Sequence, residues 1–184
     1  IDIMKAASNG KIDEKMPYFS SDFFDLGGQE LYVSRTGFTN ELGFEIFSDG
    51  FKTDHLALWD HLIECGKPYG MQFSASRAMT IRRIEGGILG NLTDIDTTIN
   101  PFEAGLGYFV NMDKDFIGKE ALVHKDKRSC LFGITCKTAI PSAKSKIKFN
   151  GMNIGYITAG VPSPTLQKGI GYVRFYNPDD WEGK

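Results

Sequence analysis

The stretch Leu31-Tyr32-Val33-Ser34-Arg35-Thr36-Gly37-Phe38-Thr39-Asn40-Glu41-Leu42-Gly43-Phe44-Glu45-Ile46-Phe47 decides how this chain is read. Leu31 to Arg35 and Gly43 to Phe47 read as two β-strands, and the segment between them is too long for a two-residue hairpin turn. Loops of that size on a strand scaffold are common carriers of ligand contacts. Glu45 alternates with Phe44 and Ile46, so its side chain points to the opposite face and shares that face with Gly43 and Phe47. Two readings of Glu45 stand side by side. Its carboxylate is either solvated on an exposed strand face, or it accepts two parallel hydrogen bonds from a planar N–H pair such as a pterin ring presents.

Outward from this stretch the elements alternate in kind. Ile1 to Ala7 resembles the tail of an apolar helix, Met16 to Phe24 is aromatic and extended, and Gly27-Gly28 marks a turn. Leu58, Leu62 and Cys65 recur at helical spacing after Asp54, a candidate N-cap, and Gly66 stands where a helix-ending glycine belongs. A second helix is expected from Ser74 or Ser76 to Glu85, halted by Gly86-Gly87. Asn91 to Asn100 reads as loop, and Gly118 to His124 as a short helix. From Arg128 the period changes to two: Cys130, Phe132, Ile134 and Cys136 share a strand face, and Ile147 and Phe149 run into the hairpin signal Asn150-Gly151. Ile154 to Thr158 and Ile170 to Phe175 supply further strands. The expected class is α+β, with an α+β domain over residues 1–127 and a β-rich domain over 128–184.

The composition, with 41% hydrophobic and 24% charged residues over 184 positions, is that of a globular protein with room for one large or two small cores. A formal net charge of -2 leaves no basic excess to neutralise a phosphate backbone, so no nucleic-acid partner is expected. No apolar run approaches the roughly 20 residues that cross a bilayer, and no signal peptide opens the chain, so the expected location is cytoplasmic, away from membranes. Cys65, Cys130 and Cys136 form no CxxC pair and read as free thiols. The chain begins at Ile1 inside a helical pattern and stops soon after the turn signal Asn177-Pro178-Asp179-Asp180. Both ends read as cut from a longer protein.

The residues alone show no catalytic constellation. His55, His61 and His124 are scattered and read as helix-surface residues, with no P-loop, nucleophile elbow or metal-ligand cluster near them. Arg77, Arg82 and Arg83 on the second helix are either a charged surface face or, at one position, a holder of a substrate acid. Ser163-Pro164-Thr165-Leu166 reads as a structural turn.

From Ser34 to Ile46 the sequence resembles the pattern S-R-T-G-Y-T-G-E-x-G-F-E-I of the glycine-cleavage T-protein family. The likeness continues in order through Arg83-Ile84-Glu85-Gly86-Gly87, Pro101-Phe102-Glu103-Ala104-Gly105-Leu106, Phe116-Ile117-Gly118-Lys119-Glu120-Ala121-Leu122, and Ser163-Pro164-Thr165-Leu166 before Gly171-Tyr172-Val173. The resemblance implies a portion of a three-domain protein built around a central channel. The folate-binding part is followed by a C-terminal β-barrel that is incomplete here, and the N-terminal half is missing. It implies tetrahydrofolate as cofactor and a small amine, amino-acid or sulfonium compound as one-carbon donor. Glu45 matches the glutamate that holds the pterin, Phe38 stands where the family commonly has a tyrosine beside the folate, and Arg77 or Arg83 stands near the folate or is structural. Catalytic residues are unassigned, because the family's aspartate that orients the reacting folate nitrogen lies upstream.

Departures from the pattern narrow the branch. Met79 falls where the glycine-cleavage enzymes carry an arginine, whereas Arg77 falls where the oxidase-associated branch carries one. The run Arg83-Ile84-Glu85-Gly86-Gly87-Ile88-Leu89 leans towards the demethylase branch that acts on dimethylsulfoniopropionate, and Asn40 in place of glycine points away from the glycine-cleavage enzymes. The expectation is therefore a fragment of an aminomethyl- or methyltransferase. The alternatives are a non-catalytic folate-binding regulatory relative and the folate domain of a dimethylglycine- or sarcosine-oxidising enzyme. The opened channel would expose apolar surface, and a homodimer across it is a further expectation.

Overall fold

The computed structural model describes residues 1–179 and 181. Two compact units divide the chain, Ile1–Met79 and Thr80–Lys184. The change to all-β structure anticipated near residue 127 falls inside the second of them.

The first unit opens with α1 (Asp2–Ala7) and continues through β1 (Ser21–Asp25), β2 (Glu30–Ser34) and β3 (Glu45–Phe47), an antiparallel sheet in that order. Alternation places Leu31, Val33, Phe24 and Ile46 on one face, where they pack with Met4, Ala7, Ile12, Leu26 and Leu58 into a core. Each fully buried aliphatic chain there, Ile12, Leu26 and Val33 among them, contributes about 2 kcal/mol of transfer free energy. Between β1 and β2, Gly27 and Gly28 adopt φ of 66° and 83°, the left-handed conformation that favours glycine.

Helix α2 (His55–Gly66) starts at the anticipated cap: the Asp54 carboxylate accepts from the Ala57 N–H at 3.0 Å. Its other end departs from expectation. Gly66 keeps a right-handed φ of -83° and the chain tightens into a 3-10 turn over Lys67–Tyr69, so the left-handed glycine is Gly70 at φ 68°. Gly66 serves packing instead, since a side chain there would strike Met71. His61 also departs from its surface reading. It is half-buried and its Nε2 lies 2.8 Å from the Ala7 carbonyl, joining α2 to α1.

Helix α3 (Ser76–Glu85) contains the point where the two units meet in sequence, and Gly87 follows it at φ 75°. In the second unit, α4 (Lys119–Val123) is the expected short helix. The strands β4 (Leu131–Cys136), β5 (Lys146–Phe149), β6 (Met152–Ser163) and β7 (Lys168–Phe175) form an antiparallel sheet in the order β4-β7-β6-β5. This sheet does not close on itself, as an incomplete barrel requires. Asn150 and Gly151, at φ 49° and 81°, make the tight β5–β6 turn. Ile84, Leu131, Val161, Ile170 and Tyr172 form the core. The backbone of Ala139–Pro141 crosses over Gly160 of β6 and Gly169 of β7, where any Cβ would overlap a carbonyl group of that strap. Asp180, the last residue of the C-terminal turn signal, lies outside the described residues. Among the described residues no helix is long and apolar enough to cross a membrane.

Candidate functional site

Glu45 occupies the first position of β3, opposite Ser34 of β2, with its side chain exposed. Ile46 turns into the core and Phe47 shares the outward face, as alternation requires. The carboxylate is oriented from one side: the Thr36 hydroxyl donates to Glu45 Oε2, and Thr36 Oγ1 lies 2.9 Å from Ser34 Oγ. A carboxylate fixed in this way, on an exposed face, has lone pairs directed at solvent and is suited to a planar pair of N–H donors.

The loop that precedes it closes at its neck. A Cβ built on Gly37 would come within 3.7 Å of Gly43 Cα, and one on Gly43 within 3.4 Å of the Thr36 carbonyl, so the two backbones pass in contact. Asn40 sits at φ 59° between them. That conformation favours a glycine or an asparagine there. Phe38 stands on this loop, 37% exposed.

A second loop is tied to the same element. Arg35, directly before Thr36, reaches back to residues 14–20. Its guanidinium donates to the carbonyls of Glu14 and Met16, its backbone N–H donates to the Ser20 carbonyl at 2.9 Å, and its own carbonyl accepts from the Phe19 N–H at 3.1 Å. The loop so held presents Tyr18 and Phe19, ring centroids 4.5 Å apart and edge to face, with Phe19 82% exposed at φ 61°. A bulky side chain in the left-handed region is strained and persists only where surrounding bonds fix it. The sequence reading missed this pair. The only signal was its aromatic character, because the clamp joins Arg35 to residues from Glu14 to Ser20, too far along the chain for a local pattern to show.

The two anticipated arginines part company. Arg77 is exposed in the first turn of α3. Arg83 belongs to the second unit and is buried, with Nη1 2.7 Å from Asp94 Oδ2 and 3.0 Å from the Ile88 carbonyl. Asp94, read beforehand as part of a polar loop, is the centre of this cluster: it also accepts from the Gly90 N–H at 2.8 Å and the Thr158 hydroxyl at 2.6 Å. Nearby, Glu85 accepts from Ser163 Oγ at 2.5 Å, from the Thr165 N–H at 3.2 Å and from Arg82 at 2.8 Å. These bonds, that from Ser163 foremost, hold its carboxyl below the ordinary value of 4.5. The turn Ser163–Leu166 thus has the structural role expected of it.

Residues 1–114 match the family described as the GCVT N-terminal domain. The chain is 41% identical over 160 residues to the aminomethyltransferase of Alkaliphilus oremlandii, covering 84% of this chain and 43% of that protein. It is 37% identical over 180 residues to the aminomethyltransferase of Halothermothrix orenii, covering 94% of this chain and 50% of that one. A crystal structure of glycine cleavage system aminomethyltransferase T from Bartonella henselae has the same fold, with a TM-score of 0.73 at 21% identity over 94% of this chain and 48% of its own. The chain spans about half the length of the curated relatives it matches. With more than half of its residues inside the family match, this chain belongs to the glycine cleavage T-protein family.

Proposed function

We propose that this chain is the folate-holding portion of a tetrahydrofolate-dependent one-carbon transferase, in which Glu45 binds the pterin ring. The observation that carries the reading is the exposed Glu45 carboxylate, oriented by Thr36 beside the Gly37/Gly43 neck of the Phe38 loop. These residues fit the group: an acceptor-only carboxylate matches the pterin's N–H pair, and Phe38, on the loop that leads into Glu45, offers apolar surface to a flat ring. Arg77, exposed and cationic, is assigned to a carboxylate of the folate or the donor, while Arg83 supports the fold through Asp94. When bound, tetrahydrofolate supplies the nitrogen that accepts the carbon unit. The chain's own contribution is to hold and orient the ring and keep its polar edge paired, so that positioning supplies the rate advantage.

The names of the relatives support an aminomethyl donor. The lean towards a demethylase rests on Arg83–Leu89, with Asn40 pointing away from the glycine-cleavage enzymes. Asn40 answers a left-handed backbone, while Arg83 and Glu85 answer internal bonds, so donor identity passes to direct assay. A domain boundary near residue 127 draws support from the family match ending at residue 114 and from the β-only structure from Leu131 onward, whereas the compact unit Thr80–Lys184, whose core joins Ile84 to Leu131, speaks against it. A cytoplasmic location completes the proposal.

The test is calorimetric titration of tetrahydrofolate into the full-length protein that carries this segment. Binding that falls about a hundredfold in Glu45→Ala supports the reading, a loss in the range of a charge-assisted bidentate contact. Unchanged binding in the variant removes Glu45 from the site, and no binding at all removes the folate function.

A further inference from the structure

Two hydroxyls reach the Glu45 carboxylate in series. Ser34 is the residue directly opposite Glu45 in the β2–β3 register, and Thr36 follows it beyond the end of β2. Both are half-buried, whereas Glu45 is exposed. The backbone of Thr36 is held from two sides. Its carbonyl passes so close to Gly43 that a Cβ there would come within 3.4 Å, and Arg35, directly before it, is clamped to residues 14–20. Counting protons then gives the series a direction. A hydroxyl has one proton to donate. Thr36 donates its own to Glu45 Oε2, so the 2.9 Å contact between Thr36 Oγ1 and Ser34 Oγ is made with the serine proton. The result is a one-way relay from Ser34 through Thr36 to the carboxylate, in which each bond polarises the next.

We propose that Ser34 and Thr36 are positioning residues for the pterin contact, and that their relay makes the site select a flat ring edge with two adjacent N–H donors over one in which a carbonyl replaces the amino group. The inference rests on the pterin reading of Glu45. Three observations carry it. The relay ends on Oε2 alone, and among the described residues Oε1 has no protein donor, so one oxygen is anchored and the other is open to a ligand. Among the described residues no lysine or arginine pairs with Glu45, so hydroxyls hold the group without neutralising the charge that the ligand meets. Thr36 is β-branched and stiff about χ1, so its hydroxyl is set before a ligand arrives and the carboxylate need not be ordered on binding. An edge with a carbonyl in place of the amino group would set its oxygen against the fixed carboxylate, a repulsion that a freely rotating carboxylate could evade.

The experiment is calorimetry on the full-length protein that carries this segment, with tetrahydrofolate and with the analogue whose 2-amino group is replaced by oxo. Thr36→Val keeps the shape and deletes the donor, and should weaken tetrahydrofolate about tenfold. Thr36→Ser should restore affinity to within about threefold of the wild type, and Ser34→Ala should cost about threefold. The oxo analogue should bind the wild type at least about a hundredfold more weakly than tetrahydrofolate, and Thr36→Val should narrow that gap. A double-mutant cycle separates positioning from scaffolding: in Glu45→Ala, adding Thr36→Val should change affinity by less than about twofold. Unchanged thermal midpoints verify that the variants fold. The relay is overturned if Thr36→Val binds as the wild type does, if it weakens Glu45→Ala by the same factor as the wild type, if Thr36→Ser fails as valine does, or if the oxo analogue binds as well as tetrahydrofolate. Any of these, with binding still lost in Glu45→Ala, leaves the pterin contact standing. Unchanged binding in Glu45→Ala, or a wild type that ignores tetrahydrofolate, removes the pterin reading and the relay with it.

Discussion

Asp94 has no solvent-exposed side-chain surface and spends its carboxylate on Arg83, Gly90 and Thr158. Removing one member of a buried ion pair leaves the other charge stranded, so Asp94→Ala is expected to destabilise the chain by about 3–5 kcal/mol. Thr158→Val, which deletes a single donor, should cost about 1–2 kcal/mol; urea denaturation measures both. Glu85 makes a pH prediction. Its folded pKa lies below 4.5, so the unfolded chain takes up the proton first. The stability Glu85 contributes is complete above that value and disappears as pH falls through the folded pKa. Thermal midpoints followed from neutrality down to roughly pH 3 should decline more steeply in the wild type than in Glu85→Gln. Cys130 is buried, and burial first, then the charge of Glu103, pushes its thiol up. Alkylation of the native protein is expected to spare it while modifying the half-buried Cys65 and Cys136, a difference that peptide mapping reads directly.

Elements whose signals are local were legible in the sequence. The Asn150-Gly151 turn and the Asp54 cap are each specified within a few residues, and both stand where the sequence places them. Asp54→Ala should therefore cost about 1 kcal/mol of stability, measured by denaturant midpoint. The loop tip at Asn40 follows the same logic: Asn40→Gly is expected to be neutral and Asn40→Val destabilising, because a β-branched residue resists φ of 59°. Elements decided by partners were less legible. The sixth strand reads as ending at Thr158, yet runs to Ser163, because pairing with β7 carries it past a bulge and through Pro162. A proline argues against a strand interior on local grounds; here it lies next to the strand's end. Likewise Gly66 carries the chemistry of a helix stop: α2 ends on it, but the left-handed turn falls on Gly70, and Met71 packs where a side chain at Gly66 would lie. At the site, alternation revealed which way Glu45 points, whereas the Thr36 bond and the Arg35 clamp depend on tertiary approach.

At the scale of the molecule, a chain about half as long as its relatives carries two cores, one in each unit. Order in the motifs was enough to place it in its family, since five short patterns in one sequence order constrain a fold more than any one of them does. Donor identity was not legible, because the residues that mark the branch also have conformational reasons to be there. If the remaining half of a full-length protein completes the folate pocket, tetrahydrofolate should bind the 184-residue chain at least about tenfold more weakly, ~1.4 kcal/mol, than the full-length protein. Calorimetry on the two proteins side by side tests this. The strap over β6 and β7 has a consequence of another kind, for how the protein drifts over generations. Gly160 and Gly169 meet the backbone of Pro141 and Ala139, not flexible side chains, so no neighbouring rotamer change makes room for a methyl group. In a saturation library these two positions should tolerate almost nothing while exposed neighbours vary freely, and a lineage that rerouted the strap would be released from both glycines at once.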